Sequence, residues 1–347
     1  MDSVPSDSPP GLDLAALRAY LDQHAPGALD GPLSARVIAG GKSNLTYQVS
    51  GPEGDLVLRR PPLGHVLPTA HDMGREFTVI AALHPTGFPV PAPVHLCRDP
   101  EVIGAPFYLM SYVDGVVLRD EAVLDRCSPA DAARASRLLV DTLADLHALD
   151  PAAIGLGDFG RPEGYLERQV RRWYQQWEAS KTRELPSMER VAQALRDSVP
   201  GSGPAGIVHG DYRLDNCLYG HDLQRILAVL DWEMATLGDP LADVGLLVVY
   251  TELADAALAP TGVRIGPAQG FLTGAELVAR YADRAPDRPG LDRIGWYVAL
   301  AFYKLAIISE GIHARFLMGK TVGPGFDQLG PRVPMLVDRA LASLGTA

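Results

Sequence analysis

The sequence predicts an α+β chain in two lobes, in which a small lobe built on an antiparallel sheet precedes a larger, mainly helical lobe. Three observations indicate this class. Short apolar runs separated by glycine-rich turns, typical of paired strands, fill the chain up to about residue 115. Beyond that point the apolar residues recur at helical spacing, and only the stretch 206–233 is again rich in strand patterns. We therefore expect a disordered polar leader at 1–11, an N-terminal lobe at 12–115 and a C-terminal lobe at 116–347.

The N-terminal lobe is expected to open with a helix and then to alternate strands with turns. Leu14, Leu17 and Leu21 are spaced to form one apolar stripe on the first helix. Glycines mark the turns at 40–44 and 51–54, between successive strands. The expected elements, in chain order, are a helix at 12–24, strands at 35–38, 45–49 and 56–60, a helix at 74–83, a proline-rich loop at 85–93 and a strand at 107–113.

The C-terminal lobe is expected to consist mostly of amphipathic helices. In the first of them, Leu139, Leu143 and Leu146 keep helical spacing, and the alanines add helix propensity. Asp239 is a good N-cap and Pro240 is favoured at the first helical position, so a later helix is expected to begin there. The expected helices lie at 129–148, 163–180, 239–254, 274–284, 292–313 and 332–344.

The charge and the cysteines exclude several classes of function. The net charge is −11, and the sequence lacks the clustered Lys and Arg that a nucleic-acid-binding surface needs. The three cysteines are scattered and form no CxxC pair, which argues against a disulfide scaffold. The most apolar run, 296–308, contains Lys304 and is shorter than the ~20 residues of a membrane span. We expect a cytoplasmic protein with neither nucleic acid nor membrane as a partner, and the sequence leaves its oligomeric state open.

The strongest functional signal is the segment IVHGDYRLDN at 207–216. It contains H-x-D-x-x-x-x-N, the pattern of a kinase catalytic loop. In that chemistry one carboxylate, here Asp211, receives or orients the proton of the attacking hydroxyl. The amide oxygen of Asn216 would bind metal, and His209 would hold the loop by hydrogen bonds. A polar surface turn is the alternative interpretation of this segment taken alone.

A second signal is a carboxylate at the end of an apolar strand. Residues 226–230 are expected to form a buried strand that delivers Asp231, the first residue of D-W-E. An Asp at this place in a kinase holds Mg²⁺, a hard cation that prefers carboxylate, amide and phosphate oxygens. Residues 217–219 and 225–230 are expected to pair as a hairpin. Asn216 and Asp231 are therefore the predicted Mg²⁺ ligands, and a helix cap is the alternative role for Asp231 alone.

With both motifs in order, the chain resembles the aminoglycoside phosphotransferase and choline kinase-like family, which has a protein-kinase-like fold. The resemblance rests on HGDYRLDN at 209–216 and DWEMATLGDPLADVG at 231–245. It covers residues 33–320 and implies phosphoryl transfer more firmly than it implies a substrate. It also implies that Asp243 braces the catalytic region.

A finer resemblance comes from three segments of the N-terminal lobe. They look most like the kinase-like domains related to acyl-CoA dehydrogenase fusions. The segments are LRRPP at 58–62, LPTAH at 67–71 and REF at 75–77. This resemblance suggests a hydroxyacyl-CoA-like or other metabolic alcohol as the acceptor.

The glycine-rich turn of the N-terminal lobe lies where the family has its nucleotide loop. Gly40 and Gly41 let backbone N–H groups approach phosphates, and Lys42 lies between these glycines and two further polar residues. Ser43 and Asn44 can add hydrogen-bond donors. A simple hairpin turn is the alternative for this segment.

The strand LVLR at 56–59 takes the place of the kinase V-A-I-K motif. Strand alternation places Val57 and Arg59 on one face, where Val57 could contact adenine and Arg59 could bind phosphates in place of the usual Lys. By the resemblance, Glu76 would pair with Arg59. The backbone near Met110 and Tyr112 would bind adenine as the hinge. A solvated strand-edge charge is the alternative for Arg59.

Other residues receive a structural interpretation. His147, at the end of its helix, is expected to make local hydrogen bonds. Trp173, Tyr174 and Trp177 are spaced for core packing, with a place in the acceptor pocket as the second possibility.

These patterns together predict transfer of the γ-phosphoryl group of ATP, with Mg²⁺, to a hydroxyl of a small molecule. A hydroxyacyl-CoA-like or other metabolic alcohol is the first expectation for the acceptor and an aminoglycoside the second, and the acidic net charge could favour a cationic acceptor. The alternative is a nucleotide-binding pseudokinase or scaffold without turnover. Asp211, Asn216 and Asp231 argue against it, whereas an Arg at position 59 keeps it open.

Overall fold

A computed structural model describes residues 8–38, 44–63, 72–201, 203–255, 265–321 and 325–345. The predicted α+β class is confirmed, with an antiparallel sheet in the N-terminal part and helices in the C-terminal part. Two compact units divide the chain. The first consists of the chain up to Val116 together with Cys217–His221 and Ile226–Ala235, and the second consists of the remainder.

The first unit contains a five-stranded antiparallel sheet in the order β1-β2-β3-β5-β4. Strand β4 begins at Pro93, the last residue of the predicted proline-rich loop, and lies at the edge of the sheet, where a missing backbone N–H is tolerated. The strands are β1 Ser34–Val37, β2 Leu45–Gly51, β3 Gly54–Arg60, β4 Pro93–Cys97 and β5 Phe107–Ser111, and the helices are α1 Leu14–His24 and α2 Met73–Leu83.

Strand β3 shows how the sheet separates its two faces. Leu56 and Leu58 belong to the apolar core that also includes Leu17 and Leu21 of α1. Because side chains alternate along a strand, Val57 and Arg59 project from the opposite face. The prediction that Val57 and Arg59 share a face agrees with this alternation, and in the sheet Val57 lies opposite Met110 and Arg59 opposite Tyr108 on β5.

The predicted hairpin is present as two short strands, β7 Cys217–Tyr219 and β8 Ile226–Val229. It belongs to the first unit, although its residues lie within the range that was assigned to the C-terminal lobe from the sequence. Asp231 follows β8 with a φ of +67°. This left-handed conformation is uncommon for a residue with a side chain and recurs at functional sites.

The second unit is mainly helical. Its helices are α3 Glu121–Leu124, α4 Pro129–Ala148, α5 Tyr165–Ser180, α6 Pro186–Asp197, α7 Leu241–Asp255, α8 Gly274–Arg284, α9 Ile294–Leu317 and α10 Leu329–Ser343. The sequence analysis missed α6, and it also missed strand β9 (Thr236–Gly238), which pairs with β6 (Gly206–Val208). The β6 strand leads directly into the HGD segment, so this pairing fixes where that segment begins.

Helices α7 and α9 approach each other closely in the second unit. Gly245 of α7 permits this approach, because an added Cβ would lie 2.5 Å from the carbonyl carbon of Tyr297 on α9. The start of α7 is fixed by Asp239, whose Oδ1 accepts from the Leu241 N–H at 3.0 Å and whose Oδ2 accepts from the Tyr297 hydroxyl at 2.8 Å. The predicted capping role of Asp239 is therefore confirmed.

None of the helices in the described ranges combines the length and the apolar content that are required to cross a lipid bilayer.

Candidate active site

The HGD segment is held in place by a buried carboxylate on α7. Asp243 accepts the backbone N–H of His209 at 2.6 Å and that of Gly210 at 2.8 Å. The Asp211 N–H in turn donates to Nδ1 of His209 at 3.2 Å. These hydrogen bonds hold the backbone that carries Asp211, and the support that Asp243 and His209 would give to catalysis stays a prediction.

The carboxylate of Asp211 is bonded to three side chains of its own unit. The hydroxyl of Tyr250, on α7, donates to Oδ1. The amide Nδ2 of Asn216 donates to Oδ2 at 3.1 Å and to the Asp211 carbonyl at 2.8 Å. The guanidinium of Arg213 lies 3.6 Å from Oδ2. These contacts bring together the predicted base and one predicted metal ligand, with Tyr250 as an unforeseen partner.

A buried lysine binds the same loop from α9. Nζ of Lys304 donates to the carbonyl oxygen of Gly210 at 2.8 Å and lies 5.8 Å from the ring centroid of Trp173. Burial lowers the pKa of Lys304, although Asp211 and Asp243 act in the opposite direction. Gly210 is therefore held at both of its backbone polar groups. Its N–H donates to Asp243, and its carbonyl oxygen accepts from Lys304.

The expectation of local hydrogen bonds for His147 is wrong. Nδ1 of His147 lies 2.8 Å from the Tyr281 hydroxyl, and Nε2 lies 3.4 Å from Oδ2 of Asp243. These partners are distant in sequence, and the histidine is buried with them. Burial raises the pKa of Asp243, but the hydrogen bond and charge of His147, the charge of His209 and the N–H of Gly210 together hold this pKa below its ordinary value. His147 therefore supports the carboxylate that braces the HGD segment.

A cavity of about 620 Å³ lies between α5 and α9. Its lining includes Trp173, Ile307, Ile308 and Met318, together with the cationic residues Lys181 and Arg315. Trp173 links this cavity to the HGD segment, because its ring also lies near Lys304, which binds the Gly210 carbonyl.

One wall of the cavity is fixed by a buried carboxylate. Glu310 of α9 accepts from the N–H and the hydroxyl of Thr182, at 2.8 and 2.6 Å, and from Nη2 of Arg183 at 2.9 Å. These bonds tie the segment after α5 to α9, so the cavity is preformed. Trp177 is buried as the spacing predicted, whereas Trp173 lines the cavity.

In the first unit, Arg59 forms the predicted ion pair with Glu76 and a second one with Asp231. Its Nε lies 2.9 Å from Oε2 of Glu76, and its Nη2 lies 2.5 Å from Oδ1 of Asp231. The Arg59 side chain is only 11% exposed, so it is not a solvated strand-edge charge. Arg60 projects from the opposite face and donates to the carbonyls of Gly11 and Ile103.

Glu76 is the centre of a buried polar group. It accepts from the amide of Asn44 at 2.9 Å and from the hydroxyl of Tyr108 at 3.0 Å. The same Asn44 amide donates to Glu233 at 3.1 Å. Burial raises the pKa of Glu76 to about 7, while Arg59 pulls the pKa down. Because Asn44 donates to two carboxylates here, its predicted contact with phosphates stays a prediction.

The remaining residues with predicted nucleotide contacts fall into two groups, those that the structure describes and those outside the described ranges. Val57 and Met110 are buried opposite each other in the sheet, and Tyr112 follows the last residue of β5. Their contact with adenine stays a prediction. Gly40, Gly41, Lys42 and Ser43 lie outside the described residues.

Sequence reasoning missed Tyr250, Lys304, Tyr108 and Glu233. Only Lys304 carried a signal, since it is a single charge inside an apolar run. A lysine inside a buried helix needs a polar partner, and here the partner is the carbonyl oxygen of Gly210.

The fold and these two groups of residues define a small-molecule phosphotransferase of the protein-kinase-like class. The chain belongs to the phosphotransferase enzyme family, whose model matches residues 34–283. This finding confirms the resemblance on which the sequence analysis relied.

Known relatives and solved structures agree with the family. Acyl-CoA dehydrogenase family member 11 of Rattus norvegicus is 38% identical over 313 residues, which are 89% of this chain and 40% of that protein. The chain therefore spans less than half of this longer relative. The structure of a presumed aminoglycoside phosphotransferase from Ralstonia eutropha is similar with a TM-score of 0.81 and 32% identity, covering 96% of this chain and 99% of that chain.

A more distant structure shares the fold alone. It is a thermostable mutant of aminoglycoside phosphotransferase APH(4)-Ia in a ternary complex with ADP and hygromycin B. Its TM-score is 0.56 at 15% identity, with 90% of this chain and 94% of that chain covered.

Proposed function

We propose that this protein transfers the γ-phosphoryl group of ATP, with Mg²⁺, to a hydroxyl of a small molecule, and that Asp211 is the base. The observation that carries the proposal is the fixed position of the Asp211 carboxylate. The N–H of Asp211 donates to Nδ1 of His209. The preceding residue, Gly210, donates its N–H to Asp243 and accepts at its carbonyl from Lys304. A base whose position is set before the substrate arrives needs no reorganisation during the reaction.

In the proposed reaction Asp211 accepts or orients the proton of the acceptor hydroxyl. The acceptor oxygen forms a bond to the γ-phosphorus, the bond from that phosphorus to the bridging oxygen breaks, and ADP leaves. General-base assistance of this kind typically contributes about 10²–10⁴-fold to the rate.

The residues present fit Mg²⁺ by their chemistry. Asn216 directs its amide nitrogen to Asp211, so the amide oxygen is the atom left for a cation. Asp231 offers a carboxylate that is about a quarter exposed, at 27%. Mg²⁺ commonly uses one or two such oxygen ligands and completes its shell with water and phosphate. When bound, Mg²⁺ would neutralise the charge on the phosphate oxygens.

The cavity between α5 and α9 supports a hydroxyacyl-like acceptor over an aminoglycoside. Its walls are mostly apolar, with Gln176, Ser180 and Thr182 as polar members, and Lys181 and Arg315 are its charged lining residues among those described. Lys181 also pairs with Glu178 and Glu184, so Arg315 is the better candidate for an anionic group. An aminoglycoside carries several ammonium groups and would need carboxylates, which the described lining lacks. An acceptor with an apolar chain and an anionic group suits these walls, although the net charge of −11 alone pointed the other way.

A coupled ADP-release screen tests the function. The panel contains hydroxyacyl-CoAs, other metabolic alcohols and aminoglycosides, with Asp211→Asn as the matched control. We expect one class of alcohol to stimulate ADP release, and we expect Asp211→Asn to lose about 10²–10⁴-fold of that turnover while it binds MgATP normally. Wild-type turnover by Asp211→Asn would disprove the role of Asp211.

The pseudokinase alternative predicts a different result. It requires MgATP binding with no stimulation of ADP release by any alcohol in the panel, and with the same behaviour in Asp211→Asn. The intact Asp211–Asn216 pair argues for turnover.

A further inference from the structure

The hydroxyl of Tyr250 is hydrogen-bonded to the carboxylate of Asp211, the proposed base. It donates to Oδ1 of Asp211, and the guanidinium carbon of Arg213 lies 5.1 Å from the Tyr250 ring centroid. Burial raises the pKa of Tyr250 well above its ordinary value, and the negative charge of Asp211 adds to this effect. The hydroxyl therefore keeps its proton and acts as a donor at any physiological pH.

This hydrogen bond has the chemistry of the bond that a substrate would make. An acceptor alcohol must present its O–H to an oxygen of the base. Oδ2 of Asp211 already accepts from Asn216 at 3.1 Å and lies near Arg213. Oδ1 accepts an O–H from Tyr250, as it would from the alcohol. Tyr250 thus takes the place of the acceptor hydroxyl on Asp211.

We propose that Tyr250 is a specificity-determining residue that discriminates an acceptor alcohol against water. The inference rests on the proposed kinase function. Because Tyr250 is attached to α7, its hydroxyl is present at Asp211 at a high effective concentration. A water molecule gains little by displacing it. An acceptor that is also held elsewhere gains enough binding energy to displace it and to present its own hydroxyl.

The reaction that Tyr250 suppresses is hydrolysis of ATP. In that reaction the water oxygen bonds to the γ-phosphorus, the bond to the bridging oxygen breaks, and ADP and inorganic phosphate leave. The proton of the water goes to Asp211 and then to solvent. Removing the Tyr250 hydroxyl frees Oδ1 for water and should release this activity.

The test measures ADP release from MgATP with no acceptor present, so the acceptor need not be known. Tyr250→Phe removes the hydroxyl and keeps the ring beneath Arg213. We expect it to raise acceptor-independent ADP release by about tenfold or more. The matched control is Tyr297→Phe, which also removes a buried hydroxyl bonded to an Asp, here Asp239. This control should melt at a lower temperature and leave ADP release unchanged.

Three further measurements separate the possible outcomes. Unchanged ADP release in Tyr250→Phe, with normal MgATP binding, overturns the inference and leaves the kinase proposal standing. If Tyr250→Phe proves unstable, Tyr250→Leu is measured below its melting temperature and must show the same rise. Asp211→Asn added to Tyr250→Phe must remove the extra ADP release. If the release persists, hydrolysis does not use Asp211 and the inference about Tyr250 fails, whereas the kinase proposal is decided separately by acceptor-stimulated ADP release in Asp211→Asn.

Discussion

Nη2 of Arg59 lies 2.5 Å from Oδ1 of Asp231, a residue far along the chain that belongs to the same compact unit. This ion pair therefore links strand β3, which carries Arg59 as the predicted phosphate-binding residue, to Asp231, the predicted metal ligand. Glu76 holds the other side of the same guanidinium at 2.9 Å. One arginine thus compensates two carboxylates, and a change at position 59 affects both.

Arg59→Ala is expected to raise the KM for ATP or to lower kcat by at least about tenfold, equivalent to ~1.4 kcal/mol. Steady-state kinetics with varied ATP measure this. Arg60→Ala is the control, because Arg60 lies on the other face and bonds to the carbonyls of Gly11 and Ile103, so it should cost stability but not ATP affinity. Arg59→Lys should keep part of the activity, since the charge remains while the planar fork is lost. Larger kinetic damage in Arg60→Ala than in Arg59→Ala would contradict this assignment.

Asp231→Ala is expected to remove most of the enhancement that Mg²⁺ gives to ATP binding, because a metal ligand is lost. Calorimetric titrations of ATP with and without Mg²⁺ provide the comparison. Asp222→Ala, at an exposed position, should behave like the wild type. Full Mg²⁺ enhancement in Asp231→Ala would mean that another residue holds the cation.

Lys304→Met is expected to lower kcat by about tenfold, or ~1.4 kcal/mol, with little change in the KM for ATP. The Gly210 carbonyl loses its partner, so the residue that precedes Asp211 keeps only the hydrogen bond from its N–H to Asp243. The position of Asp211 should therefore become less well fixed. Lys320→Met, at an exposed position beyond α9, serves as the control. An unchanged kcat in Lys304→Met would show that this hydrogen bond does not help to position Asp211.

The pH dependence of stability is expected to reflect His147. Burial holds its pKa below the ordinary value of 6.5, although Asp243 favours the charged ring and Arg288 opposes it. The unfolded chain therefore takes up a proton at this histidine first as the pH falls, so His147 should lower the free energy of unfolding below pH 6.5, while Glu76, with its pKa raised to about 7, acts in the opposite direction. His147→Gln should flatten this decrease in urea titrations between about pH 7 and 5. Asp243, whose pKa is also lowered, contributes only in a more acidic range, below 3.8. An equally steep decrease in His147→Gln would assign the effect to another group.

One part of the site could be predicted because its residues lie close together in the chain, whereas Asp243 and the Arg59–Glu76 pair were expected only from the family resemblance. His209, Asp211 and Asn216 form one short motif, and a motif of this length specifies its own local geometry. Tyr250 and Lys304 could not be assigned in this way. They lie 39 and 94 residues from their partners, and helical periodicity shows that a side chain is buried without showing what it contacts.

The errors in the predicted elements have physical causes of the same kind. Pro93 argues against a strand, yet β4 lies at the edge of the sheet, where proline is tolerated. Helix α6 begins at Pro186 without a side-chain cap, although Met188, Val191, Ala192 and Leu195 carry a helical pattern that could have revealed it. His147 was misjudged because its partners come from α7 and α8, which pack against α4 only in the folded chain.

The contact at Gly245 also limits how this enzyme can acquire a new acceptor. Since a single added carbon at Gly245 would meet the backbone of Tyr297, α7 and α9 cannot change their separation by small steps of mutation. We therefore expect α7, which carries Tyr250, and α9, which carries Lys304, to keep their separation when other parts of the sequence vary. Under the proposal that the acceptor binds between α5 and α9, variation in substrate choice would come from side chains along that cavity, where replacements leave the spacing of α7 and α9 intact.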